Sequence, residues 1–298
     1  MRIVYMGTPS FAVPPLEALI KSEKHTVAAV ITQPDKPKGR GGKVQFQAVK
    51  ETALTHNIPI LQPLKMKDEQ FLEELRSFNA DIFIVAAFGR ILKEEILNMP
   101  KFGSINIHAS LLPKYRGSSP IQQAVINGDD VSGVTIMQMD KGIDTGDMIL
   151  KKEIPIEPSD TFGTLHDKLS EIGASLVLEA LELIENGWAK FEKQDDSKAS
   201  HAPIISKENG LIDWSSPVRK IVCLIKGSNP WPCAYTYATD KKSEEAYILK
   251  IWDAEAVDGE LVIKEVQSPG GKRMSMDDFL RGHEGLKILK GSEKNVYL

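Results

Sequence analysis

The run Asp81–Ala87, DIFIVAA, constrains this chain most, because it is the strongest strand signal in it. Its apolar residues are continuous rather than alternating, which fits a strand covered on both faces. Met1–Met6 (MRIVYM), Thr26–Thr32 (TVAAVIT), Ile58–Leu61 and Gly103–His108 (GSINIH) read as further short strands. Between them, Phe11–Ser22, Ala48–His56, Asp68–Phe78 and Lys93–Leu97 carry helical spacing. Strand and helix alternate, so the order predicts a mostly parallel sheet with helices on both faces.

The alternation continues past this run. Ile121–Asn127 reads as a helix, and Gly133–Met139 and Asp147–Ile156 as two adjacent strands. Thr161–Glu185 places Leu165, Leu169, Ile172, Leu176 and Leu183 at helical steps, with Asp160 or Thr161 as its cap. Phe191–Ser206 is polar and aperiodic. Beyond it lie a helix at Val218–Lys226 and short β-prone runs at Ala234–Tyr237, Tyr247–Ala254 and Gly259–Val266. This predicts an α/β chain with a Rossmann-like catalytic domain over residues 1–189, a linker over 190–205 and a small OB-like β-barrel over 206–298.

Composition narrows the function classes. With 42 % hydrophobic and 26 % charged residues, the 298-residue chain is ordinary for a soluble protein with a real core. The net charge is -4, so any affinity for nucleic acid must come from a local patch. Cys223 and Cys233 lack metal or redox spacing and are expected to be small core residues. No apolar run approaches the roughly 20 residues that span a bilayer, so a cytosolic protein with no membrane partner is expected.

Asn106 and His108 lie two apart at the end of a strand and so share a face. Ligands in open α/β sheets bind outside the carboxyl ends of strands. Alone, the pair fits a satisfied structural role as readily as a catalytic one. Ser110-Leu111-Leu112-Pro113-Lys114-Tyr115-Arg116-Gly117 follows, a turn-rich stretch able to line a pocket for a flat heterocycle. Gly142-Ile143-Asp144-Thr145-Gly146-Asp147 adds a carboxylate bracketed by glycines, a pattern that a structural turn also shows. Acyl transfer to an amine would use these three residue types. An amide donor suits a developing oxyanion, a histidine suits proton movement, and a carboxylate orients the histidine.

Asn106-Ile-His108, Ser110-Leu-Leu-Pro113, Tyr115-Arg116-Gly117, Pro120-Ile121 and Gly142–Asp147 together resemble the folate-dependent formyltransferases. The resemblance implies Asn106, His108 and Asp144 as a catalytic trio. It implies Ser110, Leu111, Leu112 and Pro113 as part of a folate site. The Phe88–Leu92 loop, with Arg90, Ile91 and Leu92, would lie near the pterin. 10-Formyltetrahydrofolate would then be the formyl donor, and no metal is required. MRIVYMGTPSF at the start, Gln33–Gly41, Asn229-Pro230-Trp231-Pro232 and Lys272–Gly282 resemble the branch of that family whose acceptor is initiator methionyl-tRNA. A monomer is expected, and Phe11 is the candidate for the methionine side chain. Two departures stand out. Asp253–Gly259 is short for the family, which predicts an abbreviated barrel. Gly227-Ser228 replaces bulkier residues, with little consequence expected, and Trp231 is expected in the core.

Lys36, Lys38, Arg40, Lys43 and Lys50 follow one another with no acid between Asp35 and Glu51. Such an insert can neutralise RNA phosphates, and Arg40 can grip a phosphate or a base edge with two parallel hydrogen bonds. Lys36, Lys38, Arg40 and Lys43 are therefore the candidate tRNA contacts. A sugar N-formyltransferase is the nearer alternative, but a small sugar nucleotide does not need a basic insert. A dehydrogenase is disfavoured because Gly7-Thr8-Pro9-Ser10 lacks the later glycines of G-x-G-x-x-G. A non-catalytic RNA-binding module would bind tRNA without formyl turnover.

Overall fold

The computed structural model describes residues 1–37, 44–241 and 243–289. Its strands are β1 (Arg2–Gly7), β2 (Thr26–Ile31), β3 (Lys36–Pro37), β4 (Val44–Gln45), β5 (Ile60–Leu61), β6 (Ile82–Ala86), β7 (Ser104–His108), β8 (Arg116–Gly117), β9 (Val131–Gln138), β10 (Met148–Pro155), β11 (His201–Ala202), β12 (Ala234–Asp240), β13 (Ser243–Val257), β14 (Glu260–Gln267), β15 (Met274–Ser275) and β16 (Lys287–Leu289). Its helices are α1 (Val13–Lys21), α2 (Ala48–Thr55), α3 (Glu69–Ser77), α4 (Glu94–Leu97), α5 (Pro120–Asn127), α6 (Phe162–Glu185), α7 (Val218–Gly227) and α8 (Met276–Gly282).

The chain divides into two compact units. One holds Met1–Pro120, Ser132–Ile154 and His166–Ala202, and the other holds Ile121–Val131, Pro155–Leu165 and Pro203–Leu298.

In the first unit a seven-stranded sheet runs β10-β9-β7-β6-β1-β2-β5. β1 pairs in parallel with β2 and β6, β6 with β7, and β2 with β5, while β7 and β9 are antiparallel. The expected mostly parallel sheet is thus present. Successive strands leave β1 in opposite directions across the sheet, so the order reverses between β1 and β6. Ligands bind at such a reversal, outside the carboxyl ends. Its central strands β1, β6 and β7 are buried on both sides, as their apolar runs require. Val4 and Met6 join Phe83 and Val85 on one face, against Phe71, Leu72 and Leu75 of α3 and Ile96 and Leu97 of α4. Ile3 and Tyr5 are equally buried on the other face. α3 places its three apolar residues on one side, and the Asp68 carboxylate caps it by accepting from Phe71 N at 3.2 Å.

The second unit carries a five-stranded antiparallel sheet in the order β15-β14-β13-β12-β16. No pairing joins its two end strands among the described residues. β12 buries every second residue, Ala234, Thr236 and Ala238, and turns Tyr235 and Tyr237 outward. α7 covers the sheet with Ile221 and Ile225, beside Leu249, Ile251, Val266 and Phe279. The short Asp253–Gly259 stretch has a direct physical form. Asp258 and Gly259 both adopt positive φ, 51° and 85°, and turn β13 straight into β14 with Val257 opposite Glu260.

Three local expectations resolve here. Thr161 caps α6, its hydroxyl accepting from Thr164 N at 3.3 Å, while the Asp160 carboxylate accepts from the Thr164 hydroxyl at 2.8 Å. Gly227 is consequential after all: a Cβ there would stand 2.4 Å from the Ile126 side chain and 3.2 Å from Gln122 O. Trp231 is not a core residue. It is 46 % exposed, and its backbone carbonyl accepts from Gln122 Nε2 at 3.1 Å.

Candidate active site

β7 carries two polar residues at its carboxyl end. Both are buried, on a strand that β6 and β9 flank: Asn106 sits opposite Val85 and Met137, and His108 opposite Thr135. A buried polar side chain needs a partner. The partner comes from the loop between β9 and β10. The Asp144 carboxylate accepts from Asn106 Nδ2 at 3.2 Å and lies 3.6 Å from His108 Nδ1. It also accepts from Gly117 N at 2.8 Å. His108 Nε2 faces the Tyr115 carbonyl at 2.9 Å. A carbonyl only accepts, so this nitrogen carries the proton. The structure therefore brings Asn106, His108 and Asp144 together, and it does so in an environment largely closed to water. Asn106 keeps a second amide hydrogen for another acceptor.

The loop geometry explains the glycine bracket. Asp144 adopts φ 53°. Gly146 passes so close to β9 that a Cβ would lie 1.8 Å from Gln138 O.

The candidate folate residues follow the same strand edge. Ser110 is buried, its hydroxyl donating to Lys114 O at 2.6 Å, and Thr135 Oγ1 donates to Ser110 O at 2.7 Å. Leu112 is buried, its N–H donating to Thr135 Oγ1 at 3.1 Å. Leu111 and Pro113 are half-buried. The 87–92 loop leaves the carboxyl end of β6, the parallel neighbour of β7. Gln33 Nε2 holds it by donating to Phe88 O at 2.8 Å and Gly89 O at 3.3 Å. Arg90 donates to Leu64 O at 2.9 Å. Ile91 is 73 % exposed, whereas Leu92 packs into the core beneath. Phe11 is buried, its ring edge-on to His166 with centroids 5.7 Å apart.

The basic insert is described only at its base. Lys38, Arg40 and Lys43 lie outside the described residues, and Lys36 is described in its backbone alone, where β3 pairs with β4. Lys50 does not act as a free cation of the insert. Its ammonium contacts the Asp35 carboxylate and donates to Gln62 Oε1 at 2.7 Å. The hydrogen bond that Lys50 donates to Asp35 is the main cause holding the Asp35 carboxyl below the usual carboxylate range.

Reading the residues by type gave no role to Arg116 and none to Gln194. Arg116 is buried and donates through Nε to Gln194 Oε1 at 3.0 Å and through Nη2 to Asp196 at 2.7 Å. The one available signal was a Tyr-Arg-Gly motif beside the trio. Gln194, from a polar aperiodic stretch, offered none.

Among the described residues no group of three or more His, Cys, Asp or Glu could hold a metal ion, and no helix is long and apolar enough to cross a membrane.

Residues 1–181 match the model of the formyl transferase family, and residues 204–260 match the formyl transferase C-terminal domain. The methionyl-tRNA formyltransferase of Agathobacter rectalis is 49 % identical, with 95 % of this chain and 96 % of that protein covered. That of Caldanaerobacter subterraneus subsp. tengcongensis is 48 % identical, with 95 % and 97 % covered. Among solved structures, the methionyl-tRNA formyltransferase of Clostridium thermocellum shares the fold at TM-score 0.59 and 18 % identity, covering 90 % of this chain and 99 % of that one. The N-formyltransferase of Helicobacter canadensis, in complex with folinic acid and dTDP-3-aminofucose, does so at TM-score 0.64 and 23 % identity, covering 92 % and 98 %. The chain belongs to the formyl transferase family, alongside the methionyl-tRNA formyltransferases that it matches over nearly its whole length.

Proposed function

We propose that this chain transfers a formyl group from 10-formyltetrahydrofolate to the amino group of initiator methionyl-tRNA. The observation that carries the chemistry is the Asp144 carboxylate held within 3.2 Å of Asn106 Nδ2 and 3.6 Å of His108 Nδ1. The acceptor is supported by the relatives of that name at 48 and 49 % identity across 95 % of the chain.

The residues divide the work. The free hydrogen of Asn106 Nδ2 donates to the formyl oxygen as it gains charge under attack by the amine. Such a donor contributes about 10²–10³ in rate. An α-amino group titrates near pH 8, at about 7.7–8.0, so the nucleophile needs no strong base. His108 Nδ1, which the Nε2–H bond to Tyr115 O leaves without a proton, takes the proton that the attacking nitrogen loses and returns it to the nitrogen from which the formyl group departs. Asp144 fixes the histidine ring and the Asn106 amide together. Bound in this site, the reduced folate supplies the activated formyl group. Ser110–Pro113 and the exposed Ile91, on loops after the carboxyl ends of the neighbouring strands β7 and β6, suit a flat heterocycle. Lys36, Lys38, Arg40 and Lys43 would attract the tRNA backbone.

Offering the donor with methionyl-tRNA, free methionine and amino-sugar nucleotides in parallel tests this reading. Formyl transfer to methionyl-tRNA alone is expected. Turnover on an amino-sugar nucleotide in its place would replace the acceptor.

A further inference from the structure

Asp144 meets Asn106, His108 and Gly117 N from a backbone in the left-handed region, at φ 53°. A residue with a Cβ rarely rests there unless the surroundings hold it. Gln194 does so. Its side chain is 4 % exposed, and Nε2 donates to Asp144 O at 2.9 Å and Gly146 O at 2.7 Å. Oε1 accepts from Arg116 Nε at 3.0 Å. Both amide hydrogens and the oxygen are thus committed.

The same stretch reaches the other side of the trio. Ser200 Oγ accepts from Tyr115 N at 2.9 Å, and Ser200 O accepts from Arg116 N at 2.8 Å. β11 then pairs with β8. Tyr115 O is the acceptor that fixes His108 Nε2. One segment, 194–202, therefore supports both the backbone that carries Asp144 and the carbonyl that orients His108. A stretch whose partners are backbone carbonyls and N–H groups is necessarily polar and has no apolar period.

We infer that Gln194 is a positioning residue for formyl transfer, locking the 142–147 loop so that Asp144 faces Asn106 and His108. This rests on the reading of those three residues as catalytic. Gln194→Glu is the sharpest variant. It keeps the size of the side chain and an acceptor for Arg116, and removes the two N–H donors. Gln194→Ala removes the whole contact. Both should lower kcat, Gln194→Ala by about 10²-fold, because displacing a reacting group by about 1 Å costs that much. KM for the folate donor and for methionyl-tRNA should not change. The NMR resonances of the Asn106 side-chain amide, which donates to the Asp144 carboxylate, should shift in both variants.

If Gln194→Ala does not fold, Gln194→Glu, with the Arg116 contact retained, carries the test. An active wild type, with unchanged kcat and unchanged Asn106 amide resonances in folded Gln194→Glu, overturns the inference. An inactive wild type whose Asn106 amide resonances still move in the variants removes the formyl-transfer reading instead, and leaves the hold of Gln194 on the loop standing.

Discussion

The two sheets of this molecule treat polar residues in opposite ways. In the first unit β6 and β7 are buried along their whole length, from Ile82 to Ala86 and from Ser104 to His108. A polar side chain on such a strand loses water and must find a partner, at a cost of about 1–3 kcal/mol if it does not. Asn106 and His108 therefore stand out against their surroundings, and both have partners. In the second unit β12 and β14 present a side to solvent, and polar residues there cost nothing. Burial on both faces marks a site. Burial on one face hides it.

That contrast can be broken by stability measurements. Phe83 is 1 % exposed in the doubly covered sheet. Phe83→Ala should destabilise the protein by about 3–5 kcal/mol in denaturant unfolding. Ile248, 42 % exposed on β13, is the counterpart in the other sheet. Ile248→Ala should stay within about 0.5 kcal/mol of wild type. Equal losses would mean that the two sheets are covered alike.

The catalytic side of the contrast comes next in size. Asn106→Ala should lower kcat by about 10²–10³ and keep the circular dichroism of the wild type. A polar substitution on the exposed face of β14, such as Lys264→Ala, should leave kcat where it was.

The basic insert predicts a smaller effect on binding. Arg40→Ala should weaken the use of methionyl-tRNA and spare the KM for the folate donor. If Arg40 meets a phosphate, the log–log salt dependence of kcat/KM should flatten by about 0.7–0.9. Identical curves would remove Arg40 from the tRNA contacts.

The smallest expected signal separates the two thiols. Burial pushes the Cys233 thiol up to about 11, so at pH 8 it holds almost no thiolate. Cys223 is only half-buried. A thiol reagent at pH 8 should titrate Cys223 in the native protein, and Cys233 only after unfolding.

What was legible in the sequence follows the same line. DIFIVAA gave β6 because a doubly buried strand must be apolar throughout. The helical spacing of Asp68–Phe78 gave α3 because an apolar stripe is local. β16 and α8 lie in short, weakly patterned stretches and were not read. Arg116 and Gln194 were missed as a pair because their partners are one another and backbone carbonyls, and backbone has no sequence signature. The insert shows the opposite error: Lys50 looked like one more cation, yet it contacts Asp35, fifteen residues earlier. The second unit also includes Ile121–Val131 and Pro155–Leu165. Lys226 Nζ reaches Pro158 O, and Asn229 O accepts from Gly163 N at 3.0 Å. A cut at Ser206 would strip those segments of their partners, so single substitutions test the two units more cleanly than truncation.

The central claim is that chemistry resides in the buried polar end of β7. The most direct test is single-turnover formyl transfer by His108→Ala, with 10-formyltetrahydrofolate and methionyl-tRNA both saturating and folding verified by thermal unfolding. The rate should fall below wild type by about 10² or more, with the unfolding transition still cooperative. A folded His108→Ala protein that transfers formyl at the wild-type rate would contradict it.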